Sequence, residues 1–152
     1  RGSAHQGLRE YQVPVEYGRS EIIRKGKKIA VLGVGSMIPS CMEICKGLKD
    51  DGYDPTFVNA RFVKPLDVDL LDELAKDHSL FVTVEENVKS GGYGEHVSAY
   101  MEACHPEIRV LSAAVWDRFV PQGNVESLRS RIGLGVEDIR QAIEDSEELR
   151  EQ

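Results

Sequence analysis

The sequence predicts a three-layer α/β/α domain whose sheet is mostly parallel, with about five strands and one antiparallel edge strand. Short apolar runs alternate with amphipathic helical stretches, and the turns that separate them are rich in glycine. Strands that alternate with helices need right-handed crossover connections, and these produce a parallel sheet covered by helices on both faces. One further apolar run, near the N-terminus, is too close to the next to permit a crossover.

Four apolar runs predict the parallel strands: residues 29–32, 56–58, 80–84 and 108–111. The helices after the first three carry apolar stripes at spacings of three and four residues: Cys41, Ile44, Cys45 and Leu48; Leu70, Leu71 and Leu74; Val97, Tyr100, Met101 and Cys104. Two short helices are predicted at the end of the chain, on Val125, Leu128 and Ile132 and on Val136, Ile139 and Ile143.

Residues 21–24 predict the antiparallel edge strand. The turn at residues 25–28 is short, so this strand is expected to form a hairpin with the one that begins at Ile29. Residues 1–19 have no periodicity and include Pro14, which is typical of an extended linker or arm. The predicted organisation is therefore an arm at 1–19 and a domain at 20–152, with further chain expected before the arm.

Composition narrows the function classes. A net charge of −7 argues against nucleic-acid binding, which needs a concentrated basic face. Neither a long apolar run nor a signal peptide is visible, which argues against a membrane protein. The three cysteines are an odd number and favour a reducing compartment over a disulfide framework. We expect a soluble, cytoplasmic protein.

Ligands of open parallel sheets usually bind where the strands end, at the carboxyl edge. The loops expected there are residues 33–37, 61–65, 85–94 and 116–123. In the first loop, Gly33, Gly35 and Ser36 lead into a helix N-terminus, whose free N–H groups attract anions. The alternative is that Ser36 caps the helix. A dinucleotide fingerprint fails because Ile38 replaces its third glycine.

Glu85 and Glu86 are candidates for acid–base chemistry, but neighbours on a strand point to opposite faces and cannot readily share a proton. The alternative is an ion pair with a base such as Arg61 or Lys64. Gly91 and Gly92 either let the backbone approach a partner closely or form a flexible turn.

Structural roles are expected for the cysteines and histidines. Cys41 and Cys45 share a stripe with apolar residues, so they are expected in the core rather than on a metal. His78, His96 and His105 fall near helix ends, where exposed or capping roles are expected. No nucleophile, base and orienting group come together, and no metal site is predicted.

Three motifs in this order resemble the C-terminal domain of the 1-deoxy-D-xylulose 5-phosphate synthases, which are transketolase-like enzymes. They are Arg-Phe-Val-Lys-Pro-Leu-Asp at 61–67, Val-Glu-Glu-Asn at 84–87 with Gly-Gly-Tyr-Gly at 91–94, and Asp-Arg-Phe-Val-Pro-Gln-Gly at 117–123. The resemblance runs from about residue 26 to residue 143. Transketolases and the β chains of 2-oxo acid dehydrogenases share the first two motifs in looser form, whereas the third points more narrowly to the synthases.

The resemblance implies a transferase that uses thiamine diphosphate and Mg²⁺ to decarboxylate pyruvate and join the remainder to glyceraldehyde 3-phosphate. The product feeds isoprenoid and thiamine biosynthesis. In this family the cofactor and the metal are bound by two preceding domains, so none is expected on this chain. The chain is expected to pack against those domains, to order the linker and to contribute to a homodimer, and to be inactive alone.

The resemblance also suggests roles for single residues. The middle domain of the family ends in Tyr-Pro-Arg-Gly, whose arginine contacts the substrate phosphate, so Arg1 is a candidate for that arginine; alternatively, residues 1–3 are a tag remnant. Asp117, Arg118 and Gln122 become candidates for an interface loop. Two other hypotheses remain: a free-standing regulatory module that binds a small anion or a protein, and the C-terminal domain of another thiamine enzyme.

Overall fold

The computed structural model describes residues 18–61, 65–86, 92–115 and 135–151. Its strands are β1 (Glu21–Arg24), β2 (Lys28–Gly33), β3 (Thr56–Asn59), β4 (His78–Glu86) and β5 (Arg109–Val115). Its helices are α1 (Ile38–Asp50), α2 (Val68–Ala75), α3 (Tyr93–Cys104) and α4 (Val136–Glu151), and a 3₁₀ turn at Gly35–Met37 precedes α1. Among these described helices, none is long and apolar enough to cross a membrane.

The five strands form one sheet in the order β1-β3-β2-β4-β5. Strands β2 to β5 pair in parallel, and β1 pairs antiparallel at the edge. The predicted fold class is therefore confirmed. Each parallel connection in the described chain passes through a helix, as the alternating pattern required.

The predicted hairpin between the first two strands is wrong, because β1 pairs with β3 and not with β2. The three residues after β1 cross the amino end of β3: the N–H of Lys27 donates to the carbonyl of Asp54 at 2.7 Å. A Cβ on Gly26 would lie 2.2 Å from that carbonyl oxygen, so only glycine permits this close crossing. A short link can therefore step over a neighbouring strand instead of turning back on itself.

Two apolar layers enclose the sheet. Alternate residues of β2 and β4 point to opposite faces, and both faces are buried, which explains why the middle of each strand is a continuous apolar run, at residues 29–32 and 80–82. On one face, α1 and α4 pack around Ile29, Val31, Ile44, Leu48, Val82, Ile139 and Ile143. On the other, α2 and α3 pack around Ala30, Leu32, Leu71, Leu74, Phe81, Val97 and Met101.

The last helix differs in length from the prediction. Val136, Ile139 and Ile143 were expected on a short helix, but α4 has 16 residues and continues to Glu151. Its last two turns are rich in acidic residues, so the apolar stripe ends before the helix does. The other predicted C-terminal helix, on Val125, Leu128 and Ile132, lies outside the described residues.

Candidate functional site

The carboxyl ends of the central strands lie level with one another. Gly33 at the end of β2 is in register with Asn59 of β3 and with Val84 of β4. The parts of the predicted loops that the structure describes therefore gather at one edge. Of the candidate residues, Arg1, Gly91, Asp117, Arg118 and Gln122 lie outside the described residues.

Glu85 lies at this edge with its carboxylate turned into the protein. It is only 8% exposed, and its two oxygens accept hydrogen bonds from the N–H groups of Tyr93 and Gly94, each at 2.8 Å. A carboxylate on the first N–H groups of a helix satisfies donors that have no partner within the helix and interacts favourably with its dipole. Glu85 therefore ties the end of β4 to the start of α3.

The hydrogen bonds of Glu85 bear on what the sequence predicted for Glu85 and Glu86. Glu85 is buried and Glu86 is exposed, so the prediction that they face opposite ways is confirmed. Both oxygens of Glu85 accept backbone N–H groups of α3, and Lys64, one of the two bases suggested for an ion pair with the acids, lies outside the described residues. Strand alternation cannot reveal such a cap, because the residues that donate to it follow after a loop.

At Gly94, in the glycine-rich segment, there is no room for a side chain. A Cβ at this position would lie 2.7 Å from Oγ1 of Thr83 and 2.9 Å from Oε2 of Glu85, so the start of α3 rests directly on β4. Gly92 is the N-cap of the same helix. The hydroxyl of Thr83 is buried and has no hydrogen-bond partner among the described residues. Gly94 therefore lets the backbone of α3 approach β4 of the same chain.

The turn after β2 differs from the expected helix cap. Ser36 lies inside the 3₁₀ turn, Met37 takes the N-cap position of α1, and no side-chain cap hydrogen bond forms at either start. The expectation that Ser36 caps the helix is wrong, because the extra turn moves the start of α1 to Ile38. Gly35 has a positive φ of 53° with open space around its Cβ position, whereas a Cβ on Gly33 would meet Sγ of Cys41 at 2.6 Å.

A buried ion pair stands beside these loops. Nη2 of Arg61 lies 2.7 Å from Oε1 of Glu21, and the two side chains are 11% and 3% exposed. Arg61 adopts a positive φ of 64°, and its N–H donates to Oδ1 of Asn59 at 3.1 Å. Sequence reasoning missed Glu21. The prediction paired β1 with β2, whereas Glu21 lies opposite Asn59, the last residue of β3.

The chain enters the domain at the same edge, where three polar residues hold it. The N–H of Ser20 donates to Oδ2 of Asp67 at 2.7 Å, and the guanidinium of Arg19 reaches Asp67 at 3.2 Å and Asp69 at 3.0 Å. Oδ1 of Asp67 also accepts the N–H of Leu70 and so caps α2. We call Arg19, Ser20 and Asp67 the entry clamp.

The cysteines and histidines have structural surroundings. Cys41 and Cys45 are buried in the α1 layer, which confirms their core role, and burial raises the pKa of Cys45 to about 12. His78 is buried at the start of β4, so an exposed position is wrong for it, but the expected capping role is confirmed. Its ring hydrogen-bonds the carbonyl of Leu74 in the last turn of α2 at 2.8 Å, and also Thr56. His105 is the C-cap of α3, and its N–H donates to the carbonyl of Met101 at 2.7 Å, which confirms a capping position; its ring also bonds Asp72 of α2 at 2.8 Å.

At the described part of the carboxyl edge, the charged side chains of Glu21, Arg61 and Glu85 bind other groups of the chain. Glu85 is engaged by backbone, and Glu21 and Arg61 are engaged with each other. No group of three or more His, Cys, Asp or Glu side chains in the described ranges is arranged to hold a metal ion. These residues can fix the loops in place and present them to another surface.

Comparison with known proteins agrees with this geometry. The family model described as "Transketolase, C-terminal domain" matches residues 18–139. The chain is 38% identical over 140 residues to the 1-deoxy-D-xylulose-5-phosphate synthase of Lachnoclostridium phytofermentans, covering 91% of this chain and 22% of that protein. It is 39% identical over 137 residues to the synthase of Dictyoglomus thermophilum, covering 90% of this chain and 22% of that protein. The chain thus spans about a fifth of the length of these relatives.

Solved structures give the same fold. A split-gene transketolase, described as an inactive β4 tetramer, superposes with a TM-score of 0.71 at 28% identity, over 88% of this chain and 43% of that one. Transketolase from Campylobacter jejuni gives a TM-score of 0.53 at 17% identity, over 84% of this chain and 18% of that one. The family model covers most of the chain and the strand order accounts for its fold, so this chain belongs to the transketolase C-terminal domain family.

Proposed function

We propose that this chain is the C-terminal domain of a thiamine-diphosphate-dependent 1-deoxy-D-xylulose 5-phosphate synthase. Such an enzyme condenses pyruvate with glyceraldehyde 3-phosphate and releases CO₂, in the cytoplasm and as a homodimer. The observation that carries the proposal is identity of 38–39% to synthases over nine-tenths of this chain. The domain would begin at residue 20, with residues 1–19 as the interdomain linker.

The carboxyl edge supports a packing role for the domain. The entry clamp holds Arg19 and Ser20 at this edge, and the Glu21–Arg61 ion pair lies beside it. Buried ion pairs and helix caps order loops without supplying a free acid or base. In this proposal the loops around Gly33, Gly35, Ser36, Glu86 and Gly92 face the cofactor-binding domains.

The engagement of charged groups at the carboxyl edge supports placing thiamine diphosphate and Mg²⁺ on other domains. A magnesium diphosphate needs free carboxylates or carbonyl groups for the metal and unoccupied donors for the phosphates. Here the carboxylate of Glu85 already occupies the N-terminus of α3, and the guanidinium of Arg61 is paired with Glu21. We therefore assign both groups to the preceding domains, with Arg1 proposed as a contact to the substrate phosphate at the domain junction.

One observation favours a second candidate. The split-gene transketolase superposes better than the other transketolase described above, and its identity of 28% exceeds what fold alone explains. The domain would then serve ketol transfer without loss of CO₂. The two candidates differ in the acceptor and donor used by the complete enzyme, so one purified protein can distinguish them.

The test is to express the complete reading frame that contains this chain and to assay it beside the 152-residue chain. We expect the complete protein to release CO₂ from pyruvate and form 1-deoxy-D-xylulose 5-phosphate, only with thiamine diphosphate and Mg²⁺ present. The shorter chain should neither turn over pyruvate nor bind thiamine diphosphate by calorimetry.

Three results would contradict the proposal: tight cofactor binding by the shorter chain, a reading frame that begins near residue 1, or ketol transfer between sugar phosphates without CO₂ release. Reaction mixtures without glyceraldehyde 3-phosphate are the control for acceptor-independent decarboxylation. The role of Arg1 is tested separately, since any residues other than Tyr-Pro before it would remove the motif on which that assignment rests.

A further inference from the structure

A groove of about 400 Å³ lies beside α1, on the face of the sheet that α1 covers. Its floor is apolar and is made by Ile23 of β1, Phe57 of β3 and Cys45 of α1. Met42 forms one wall and is 44% exposed. The volume falls in the range of pockets that hold small molecules, roughly 300–1,000 Å³.

The groove exists because the helical layer stops short of the sheet edge. On this face α4 packs against α1 and β5, at the far side of the sheet from β1. Among the described helices, none covers β1 on the other flank of α1. The groove is also separate from the carboxyl edge, since Arg24 is in register with Phe57 near the amino end of β3 and Lys49 lies in the last turn of α1.

Three cationic side chains line the rim of this groove: Arg24, Lys46 and Lys49. Arg24 is fixed in place by Asp54 at 2.8 Å and by the carbonyl of Pro55 at 2.7 Å. Lys46 and Lys49 lie about one helical turn apart, both are exposed, and neither forms an ion pair within the described ranges. In a chain with a net charge of −7, this rim is a local excess of positive charge.

The charges lie close enough to the floor to act on it. Burial raises the pKa of Cys45, and the positive charges of Arg24 and Lys49 act in the opposite direction on the same thiol. The cationic groups therefore stand beside the apolar floor instead of extending into solvent away from it. An apolar floor with convergent cations is the combination that selects a ligand with a short hydrophobic body and an anionic head.

We propose that this groove binds a small amphipathic organic anion. Its apolar body packs on Ile23, Phe57 and the flexible thioether of Met42, and its phosphate or carboxylate head is held by Lys46 and Lys49. Methionine adapts its shape to different apolar groups, and lysine binds anions as a mobile point charge. The inference is independent of the proposed function, because no residue of the carboxyl edge takes part.

The test uses the full 152-residue chain and hexyl phosphate as the probe. Titration followed by backbone amide NMR should give saturable shifts at the residues of the groove. Hexan-1-ol has the same body without charge, and inorganic phosphate has the charge without the body; each is expected to bind at least about tenfold more weakly. The double variant K46Q/K49Q should lose about tenfold in affinity, and M42Q should lose severalfold.

The matched control is K25Q/K76Q, which removes the same charge from two lysines paired elsewhere, with Asp77 and Glu73. Its affinity for hexyl phosphate should stay within about twofold of the unsubstituted chain. Equal losses in the two double variants would overturn the proposal, because they would indicate a response to net charge alone. Hexan-1-ol binding as tightly as hexyl phosphate, shifts on another surface, or no saturable binding would overturn it as well.

Discussion

At the scale of single residues, Glu85 shows how an attractive catalytic candidate can be a structural group. Both carboxylate oxygens are bound by backbone N–H groups, and the neighbouring Gly94 leaves room for them only because it has no Cβ. Each of these N–H groups thereby gains the acceptor that the first turn of a helix cannot supply. Its contribution is to the position of α3, and hence to the shape of the edge.

We predict that Glu85→Ala lowers the free energy of unfolding by about 1–3 kcal/mol, since it leaves two helix N–H groups without their partner in a buried place. Equilibrium urea unfolding monitored by far-UV circular dichroism measures the change. The adjacent Glu86→Ala is the matched control, and because its side chain is exposed we expect a change within about 0.5 kcal/mol. Equal effects of the two substitutions would show that the cap has no structural role.

At the scale of elements, the entry clamp joins three parts of the chain. Asp67 accepts the N–H of Ser20 before β1 and the N–H of Leu70 in α2, and the hydroxyl of Ser20 donates to the carbonyl of Ala60 after β3. The start of β1, the end of β3 and the start of α2 are thus linked through the carboxylate of Asp67 and the hydroxyl of Ser20. The side chain of Asp67 is only 10% exposed, so these bonds are sheltered from water.

We predict that Asp67→Ala destabilises the chain by about 1–2 kcal/mol, because the helix cap and the anchor of Ser20 are lost together. Amide hydrogen exchange should also become faster at residues 20–24. Asp69→Ala is the matched control: its side chain is 74% exposed and contacts only the exposed end of Arg19 among the described salt bridges, so its effect should stay within about 0.5 kcal/mol. Unchanged exchange in Asp67→Ala would contradict the clamp.

The pairing of β1 marks the limit of what the sequence could predict for this site. Its antiparallel edge position follows from the short link, but the choice between β2 and β3 depends on a crossing that only Gly26 permits, and glycine also fits an ordinary hairpin turn. Glu21 was missed for that reason. Likewise, the hydrogen bonds of Glu85 to the start of α3 and of Asp67 to Ser20 join residues that lie apart in the sequence, where periodicity carries no information.

At the scale of the whole molecule, the fold could be predicted well because its central strands are apolar on both faces. Such strands are typical of a parallel sheet between two helical layers, and the alternation with helices leaves few other topologies. The two apolar clusters share β2 and β4: Val31 and Val82 point to one layer, Leu32 and Phe81 to the other. A substitution that weakens the packing of either layer therefore weakens the packing of β2 and β4.

We therefore predict that the 152-residue chain unfolds by itself as one cooperative unit. Urea unfolding should give coincident curves by far-UV and near-UV circular dichroism, with a slope of about 1–3 kcal/mol per molar urea. Leu48→Ala on the α1 side and Leu74→Ala on the α2 side, both fully buried, should each cost about 2–5 kcal/mol. Each should move both curves together, since the layers share strands. Separate transitions, or a substitution that moves one curve alone, would mean that the layers fold independently.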